Sequence, residues 1–372
     1  MYTGIYIKMK TIEEIDSNFK IATVDNREVN YYNILNEPFS VEGFPWGSLA
    51  EGKFNRLPDF LKIDEDINSG AYWSGHSITS GGCARFRTDA TFICIRAKIN
   101  TLLEMNHMPR TGANGFDLYV GKFGEDCHHV STVRPTLSQT DIEQVVFNNT
   151  TWTNEMRDWC INFPLYGGIT ELEIGFPPGT KIEGPTPHAI KPILFYGSSI
   201  TQGGCASRPG NNYCSMLCRD VNAEQINLGF SGCGKGEPAV ARAIAKLDLG
   251  VFVMDYDHNA KDIDDLRATH EPFYKIIREA HPNLPIIMIS MCDIWKDRDY
   301  ETKCKRRDLI RENYEKAIAA GDKHVYFIDG EKLFGTANRD ACTVDGCHPN
   351  DLGFYRMYEN ILPVLRQAIK EA

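Results

Sequence analysis

Four short stretches carry residue types suited to acyl transfer, and they occur in a fixed order in the second half of the chain. The first, Gly197-Ser198-Ser199-Ile200-Thr201-Gln202-Gly203-Gly204, directly follows the apolar run 193–196, so it offers a hydroxyl at the C-terminal end of a strand. It lacks the second glycine of a Gly-x-Ser-x-Gly elbow and the Gly-Lys-Ser/Thr ending of a phosphate loop. The second, Asn227-Leu228-Gly229-Phe230-Ser231-Gly232, could turn backbone N–H groups toward an anion. The third, Asp255-Tyr256-Asp257-His258-Asn259, offers a side-chain amide and, in His258, a base by residue type alone. The fourth, Asp345-Gly346-Cys347-His348-Pro349, sets a carboxylate three residues before an imidazole. That spacing can hold Nδ1 of the ring and leave Nε2 free as a base. Read singly, each stretch is equally a tight turn or a helix cap. No spacing of Cys342, Cys347 and His348 matches a closed zinc site.

The elements that must position these residues are legible around them. From about residue 190 onward, short apolar runs at 193–196, 224–228, 251–255, 285–290 and 325–329 alternate with helical patterns. The helical patterns cover 212–221, 238–247, 263–280, 303–319 and 351–369. Such βα alternation predicts a parallel sheet with helices on both faces. Active groups in such sheets gather beyond the C-terminal strand ends, which is where the stretches fall. Before residue 180 the pattern differs. Ile93, Ile95, Ala97 and Ile99 alternate onto one face, 171–176 alternates likewise, and 116–120 is β-prone. This half reads as an antiparallel sandwich or jelly roll. Five prolines between 177 and 192 mark a linker.

The ordered set resembles the SGNH hydrolases, also called GDSL esterases, over about residues 190–372. The resemblance implies a three-layer α/β/α domain in which Ser199 is the nucleophile, with Asp345 and His348 completing the triad. It also implies an oxyanion hole made by Ser199, Gly232 and Asn259, and no metal or organic cofactor. Two departures stand out: Ser198 replaces the aspartate of Gly-Asp-Ser, and Ala260 follows Asn259 where the family has Asn-Asp. Gly115-Phe116-Asp117-Leu118-Tyr119 resembles the Gly-x-Asp-Leu-Tyr signature of a β-rich domain preceding some bacterial SGNH enzymes. Residues 1–180 are thus expected to form a β-sandwich accessory domain and residues 190–372 the catalytic domain. A second copy of the first motif, Gly75-His76-Ser77-Ile78-Thr79-Ser80-Gly81-Gly82-Cys83-Ala84, has no matching Asp-x-x-His-Pro block in its own half and reads as a structural turn.

Length and charge narrow the function. A chain of 372 residues is large enough for about two domains. A formal charge of −10 argues against a nucleic-acid partner, whose affinity would come from lysine and arginine. No apolar run approaches the ~18 residues of a membrane span. The charged start (Lys8, Lys10, Glu13, Glu14, Asp16, Lys20) reads as no secretory signal, and sequons at Asn148-Asn149-Thr150-Thr151 carry no weight in a bacterial cytoplasm. Several of the 12 cysteines (Cys94, Cys160, Cys214, Cys218) sit within apolar runs, which favours free thiols and a cytoplasmic location.

The expected activity is removal of acetyl groups from hemicellulose-type oligosaccharides, xylan or mannan fragments, with an acetylated oligosaccharide as the partner molecule. Trp46, Trp73, Trp152, Trp159 and Trp295 are available for sugar stacking, and each reads equally as core. The alternatives are a lipase or thioesterase acting on longer chains, and a carbohydrate-binding protein with a degenerate hydrolase domain. The sequence leaves the oligomeric state open.

Overall fold

A computed structural model describes residues 15–16, 24, 27–149, 151–152, 155–296 and 298–372. Lys8, Lys10, Glu13, Glu14, Lys20 and Thr150, invoked above, lie outside the described residues.

The second half forms the expected three layers. Strands β11 (Ile190–Gly197), β12 (Ala223–Gly229), β13 (Val251–Asp255), β14 (Ile286–Ile289) and β15 (Val325–Ile328) make one parallel sheet in the order β12-β11-β13-β14-β15. Its strands are apolar on both faces because both faces are covered. Leu194, Tyr196, Phe252, Met254, Ile286 and Met288 pack toward the helices Pro238–Ile244, Ile263–Ala280 and Tyr300–Ala319. Ile193, Phe195, Val251, Val253, Ile287 and Ile289 pack toward Tyr213–Val221 and Asp351–Glu371. Each fully buried side chain of this kind stabilises by about 1.5–3 kcal/mol.

The first half carries two antiparallel sheets packed as a sandwich. One has the order β1-β9-β4-β7, from Asn30–Asn33, Gly168–Phe176, Phe92–Thr101 and Asp141–Asn148. The other runs β10-β3-β8-β5-β6, from Ile182–Glu183, Cys83–Thr88, Arg157–Asn162, Asp117–Val120 and His128–Thr132, with β2 (Ser40–Glu42) added against β3. Ile93, Ile95, Ala97 and Ile99 all point into the core between the sheets, as their alternation predicts. Trp159 is wholly buried there beside Trp152.

Two features go beyond the sequence reading. The proline-rich stretch 177–192 contains β10 and the start of β11, and Thr186 bonds Asp158 through both its N–H and its hydroxyl. Pro192 is tolerated inside β11 because the pairing with β12 is irregular between Ile190 and Ile193. The first half is also not confined to the sandwich. Leu57, Leu61, Ile67 and Ala71 belong to the apolar core under the parallel sheet, and Leu103, Met105 and Met108 pack against the core on its other face. Among the described residues, no helix is long and apolar enough to cross a membrane.

Candidate active site

β11 ends at Gly197, and a short helix, Ser199–Gln202, begins at once. A Cβ at Gly197 would lie 1.9 Å from the Thr201 hydroxyl and 2.5 Å from the Asp255 carbonyl, so only glycine fits the turn. Ser198 caps the helix, accepting from the Ile200 N–H over 3.2 Å. The serine that departs from the family's aspartate therefore still supports the loop through its own oxygen. The helix closes at Gly203, whose φ of 104° suits a residue without Cβ.

The fourth stretch meets this turn. Ser199 Oγ lies 2.9 Å from His348 Nε2, and His348 Nδ1 lies 2.7 Å from Asp345 Oδ2. The other carboxylate oxygen, Oδ1, accepts from the backbone N–H groups of Cys347 (2.9 Å) and His348 (2.8 Å). Burial works to raise the Asp345 pKa, but these donors and the His348 ring outweigh it and hold the group at about 2. Asp345 thus remains a carboxylate at any working pH, able to fix the ring tautomer and face an imidazolium. Trp295 holds the loop from outside by donating its indole N–H to the Gly346 carbonyl over 2.6 Å.

The second and third stretches close on the same turn. Phe230 N–H donates to the Gly197 carbonyl (3.0 Å), Ser231 N–H to Gln202 Oε1 (2.9 Å), and Asn259 Nδ2 to the Phe230 carbonyl (2.9 Å). One amide hydrogen of Asn259 is spent on that bond, leaving a second N–H on the same nitrogen. Gly232 has φ 71° and open space around its missing Cβ, so its peptide sits at an uncrowded, solvent-facing turn. Asn259 and Ser199 are each more than nine-tenths buried.

His258, a base by type, is engaged elsewhere. Its Nε2 is 2.9 Å from Asp293 Oδ1 and its Nδ1 3.6 Å from Asp257 Oδ1, while Lys303 Nζ bonds Asp293 over 2.6 Å. Burial disfavours its imidazolium, but Asp293 and the neighbouring carboxylates lift its pKa to about 9. It is a structural cation. Asp255, below the serine turn, accepts from Tyr213 OH (2.8 Å) and Thr201 Oγ1 (3.1 Å), and burial pushes its carboxyl up to about 7.

Two protein families match the two halves of the chain. Residues 190–366 match the model of the GDSL-like lipase/acylhydrolase family, and residues 29–182 match that of the N-terminus of SGNH-hydrolase-type esterases. The second half of the chain is a GDSL-like lipase/acylhydrolase domain. With that domain the protein is a carboxylic ester hydrolase. Among solved structures, this GDSL-like hydrolase is similar to a GDSL-like lipase candidate from Bacteroides ovatus, at 27% identity and TM-score 0.78, over 93% of this chain and 99% of that one. It shares its fold with the salicylyl-acyltransferase SsfX3 of a tetracycline biosynthetic pathway, at 20% identity and TM-score 0.71, over 91% and 97%. It also shares its fold with a family two carbohydrate esterase from Cellvibrio japonicus, at 12% identity and TM-score 0.59, over 92% and 98%. No curated protein matches the chain.

Several residues that build the GDSL-like site gave no sequence signal. Arg56 is wholly buried and has no carboxylate partner among its bonds. Its five N–H groups go to the carbonyls of Ile78, Asn227, Gly229 and Ser74 and to the Ser74 hydroxyl, at 2.9–3.1 Å. The repeated motif also gains a role. Ser80 Oγ donates to the Gln202 carbonyl over 2.7 Å, and Gly81 lies so near Asn227 that a Cβ there would stand 2.4 Å from its side chain. Residues 75–84 run from the end of the helix Ser69–Ser77 through a turn into β3, and that turn is pressed against the back of the serine helix. Of the tryptophans, only Trp73 is strongly exposed, at 45%; Trp159 is core, and Trp295 braces the Asp345 loop.

Proposed function

We propose that the protein is a serine esterase that removes O-acetyl groups from carbohydrates, hemicellulose oligosaccharides in particular. The observation that carries the catalytic reading is the unbroken chain from Ser199 Oγ to His348 to Asp345, at 2.9 and 2.7 Å. His348 Nε2 takes the Ser199 proton as Oγ attacks the ester carbonyl, and Asp345 stabilises the resulting imidazolium. The oxyanion is met by the N–H groups of Ser199 and Gly232 and the free amide hydrogen of Asn259. His348 then gives its proton to the departing alcohol oxygen, leaving acyl-Ser199. Water, deprotonated by the same ring, attacks the acyl carbon and releases the acid and the free serine. No step needs a metal or cofactor.

The substrate reading has separate support. The family two carbohydrate esterases of Cellvibrio japonicus and Clostridium thermocellum, the latter solved with cellohexaose, share the two-part architecture, as does an acetyl xylan esterase from Butyrivibrio proteoclasticus. Their kinship in fold is associational support for sugars over lipids as substrates. We further propose a cytoplasmic location, which the free cysteines within apolar runs favour, and with it imported oligosaccharides rather than polymers as substrates.

The test is acetate release from a panel of acetylated xylo- and manno-oligosaccharides, beside p-nitrophenyl esters of increasing chain length. Turnover of the sugar acetates with a preference for the two-carbon acyl group is expected. A preference for chains of eight carbons or more would overturn the substrate reading.

A further inference from the structure

A cleft of about 620 Å3 opens beside the His348 loop, between the sandwich and the α/β unit. One wall is the 105–109 loop that follows β4, with Asn106, His107 and Met108. The other comes from the hydrolase half, with Cys205, Val344 and Leu352. Val344 and Leu352 are exposed apolar side chains at its rim. The His107 ring sits 5.3 Å from the His348 ring, tilted by 54°. A His107 nitrogen lies within 4.8 Å of both a His348 nitrogen and an Asp345 oxygen. Met108 approaches the serine turn itself: a Cβ on Gly204 would stand 3.2 Å from Met108 Cε and 3.1 Å from the Ser199 carbonyl. The 105–109 loop is not a loose excursion, because Met105 and Met108 pack against the core on the face of the parallel sheet that carries Tyr213–Val221 and Asp351–Glu371.

The direction of the chemistry says which part of an ester this cleft would receive. In an acyl transfer of this kind the oxyanion donors hold the carbonyl oxygen, while the histidine must reach the leaving oxygen to protonate it. The alcohol half of the substrate therefore lies on the imidazole side of Ser199, away from Gly232 and Asn259. The cleft is on that side. We propose that it is the alcohol subsite, that the β-sandwich half supplies one wall of it through His107 and Met108, and that it selects a polyhydroxylated alkyl alcohol over an aromatic one. His107 would hydrogen-bond a hydroxyl next to the scissile ester, and Met108 would contact a C–H face of the same ring. As the C–O bond to the acyl carbon breaks, the proton carried by His348 Nε2 goes to the alcohol oxygen, and the free alcohol leaves through the cleft. This inference rests on the serine esterase reading above, but not on the identity of the sugar.

The experiment compares kcat/KM for a sugar acetate, for glyceryl triacetate and for p-nitrophenyl acetate in the wild type, His107→Ala, His107→Gln and Met108→Ala. In His107→Ala the ratio of alkyl to aryl acetate is expected to fall about tenfold, the size of one lost hydrogen bond to substrate. His107→Gln, which keeps a donor and an acceptor, should recover most of it. Met108→Ala should lower the same ratio chiefly through KM. Equal losses on alkyl and aryl acetates, or none on either, would overturn the subsite. A wild type that hydrolyses glyceryl triacetate and p-nitrophenyl acetate but no sugar acetate would instead count against the carbohydrate reading. The two outcomes are separate.

Discussion

The Arg56 guanidinium, contributed by the half of the chain that holds the sandwich, donates to the Gly229 carbonyl at the end of β12 over 3.0 Å. A second bond from the same nitrogen reaches the Asn227 carbonyl, also at 3.0 Å. The charge is buried among carbonyls and over the Phe230 ring, and Gly229 stands three residues before Gly232. Truncating it strands several buried acceptors at once. Arg56→Met is expected to destabilise the fold by about 3–5 kcal/mol, and to lower kcat more than KM because the Phe230–Gly232 turn loses its support. Chemical denaturation and steady-state kinetics on p-nitrophenyl acetate check both. A variant of unchanged stability would contradict the buttress.

Replacing Asn259 tests the oxyanion assignment. Asn259→Ala is expected to lower kcat about 10²–10³-fold, with a much smaller change in KM, since the lost donor acts mainly where charge develops. The side chain also ties the third stretch to the Phe230 carbonyl. Circular dichroism of the variant should therefore accompany the kinetics. A loss confined to KM would place Asn259 outside the oxyanion site.

Asp345→Asn separates orientation from mere contact. The carboxylate is held at about 2 by its N–H donors and the ring, so it acts as an anion throughout the working range. The amide would present the wrong hydrogen-bonding atoms to Nδ1, and a loss of up to about 10⁴-fold in kcat is expected. Retention of more than a tenth of the activity would show that the ring needs no partner.

The buried His258 network predicts how stability responds to pH. The native pKa of His258 is raised from 6.5 to about 9. Its contribution is then complete below about 6.5 and is lost as pH rises through 9, an effect on the order of 3 kcal/mol. Asp255 works in the same direction at lower pH, because burial lifts its carboxyl from 3.8 to about 7. Denaturation midpoints should fall between pH 6.5 and 9, and His258→Gln should flatten that slope. A wild-type midpoint that rises over this interval would contradict the charged network.

Much of this architecture is readable from the sequence, for physical reasons that also set the limits. Strands buried on both faces become continuous apolar runs, so 251–255 is visible to the residue. The helix 263–280 is equally plain, with a side-chain cap at Asp262. The helix Tyr300–Ala319 begins three residues earlier than its pattern suggests, because its N-cap, Asp299, has a φ of 49° and no capping side-chain bond. β3 is harder to see because Arg85 interrupts its apolar pattern, although that guanidinium is buried against Glu42. Ser199, Asp345, His348 and Asn259 are legible as candidates because local turns present them. Arg56 and His107 are not, because each acts across more than a hundred residues of chain, where spacing carries no information.

The central claim is that Ser199 is the nucleophile, and covalent labelling tests it most directly. After treatment with a fluorophosphonate, peptide mapping by mass spectrometry should find one adduct on Ser199 in the wild type and in Ser77→Ala, and none in Ser199→Ala, whose esterase activity should be lost. Labelling of another residue, or esterase activity persisting in Ser199→Ala, would contradict the account.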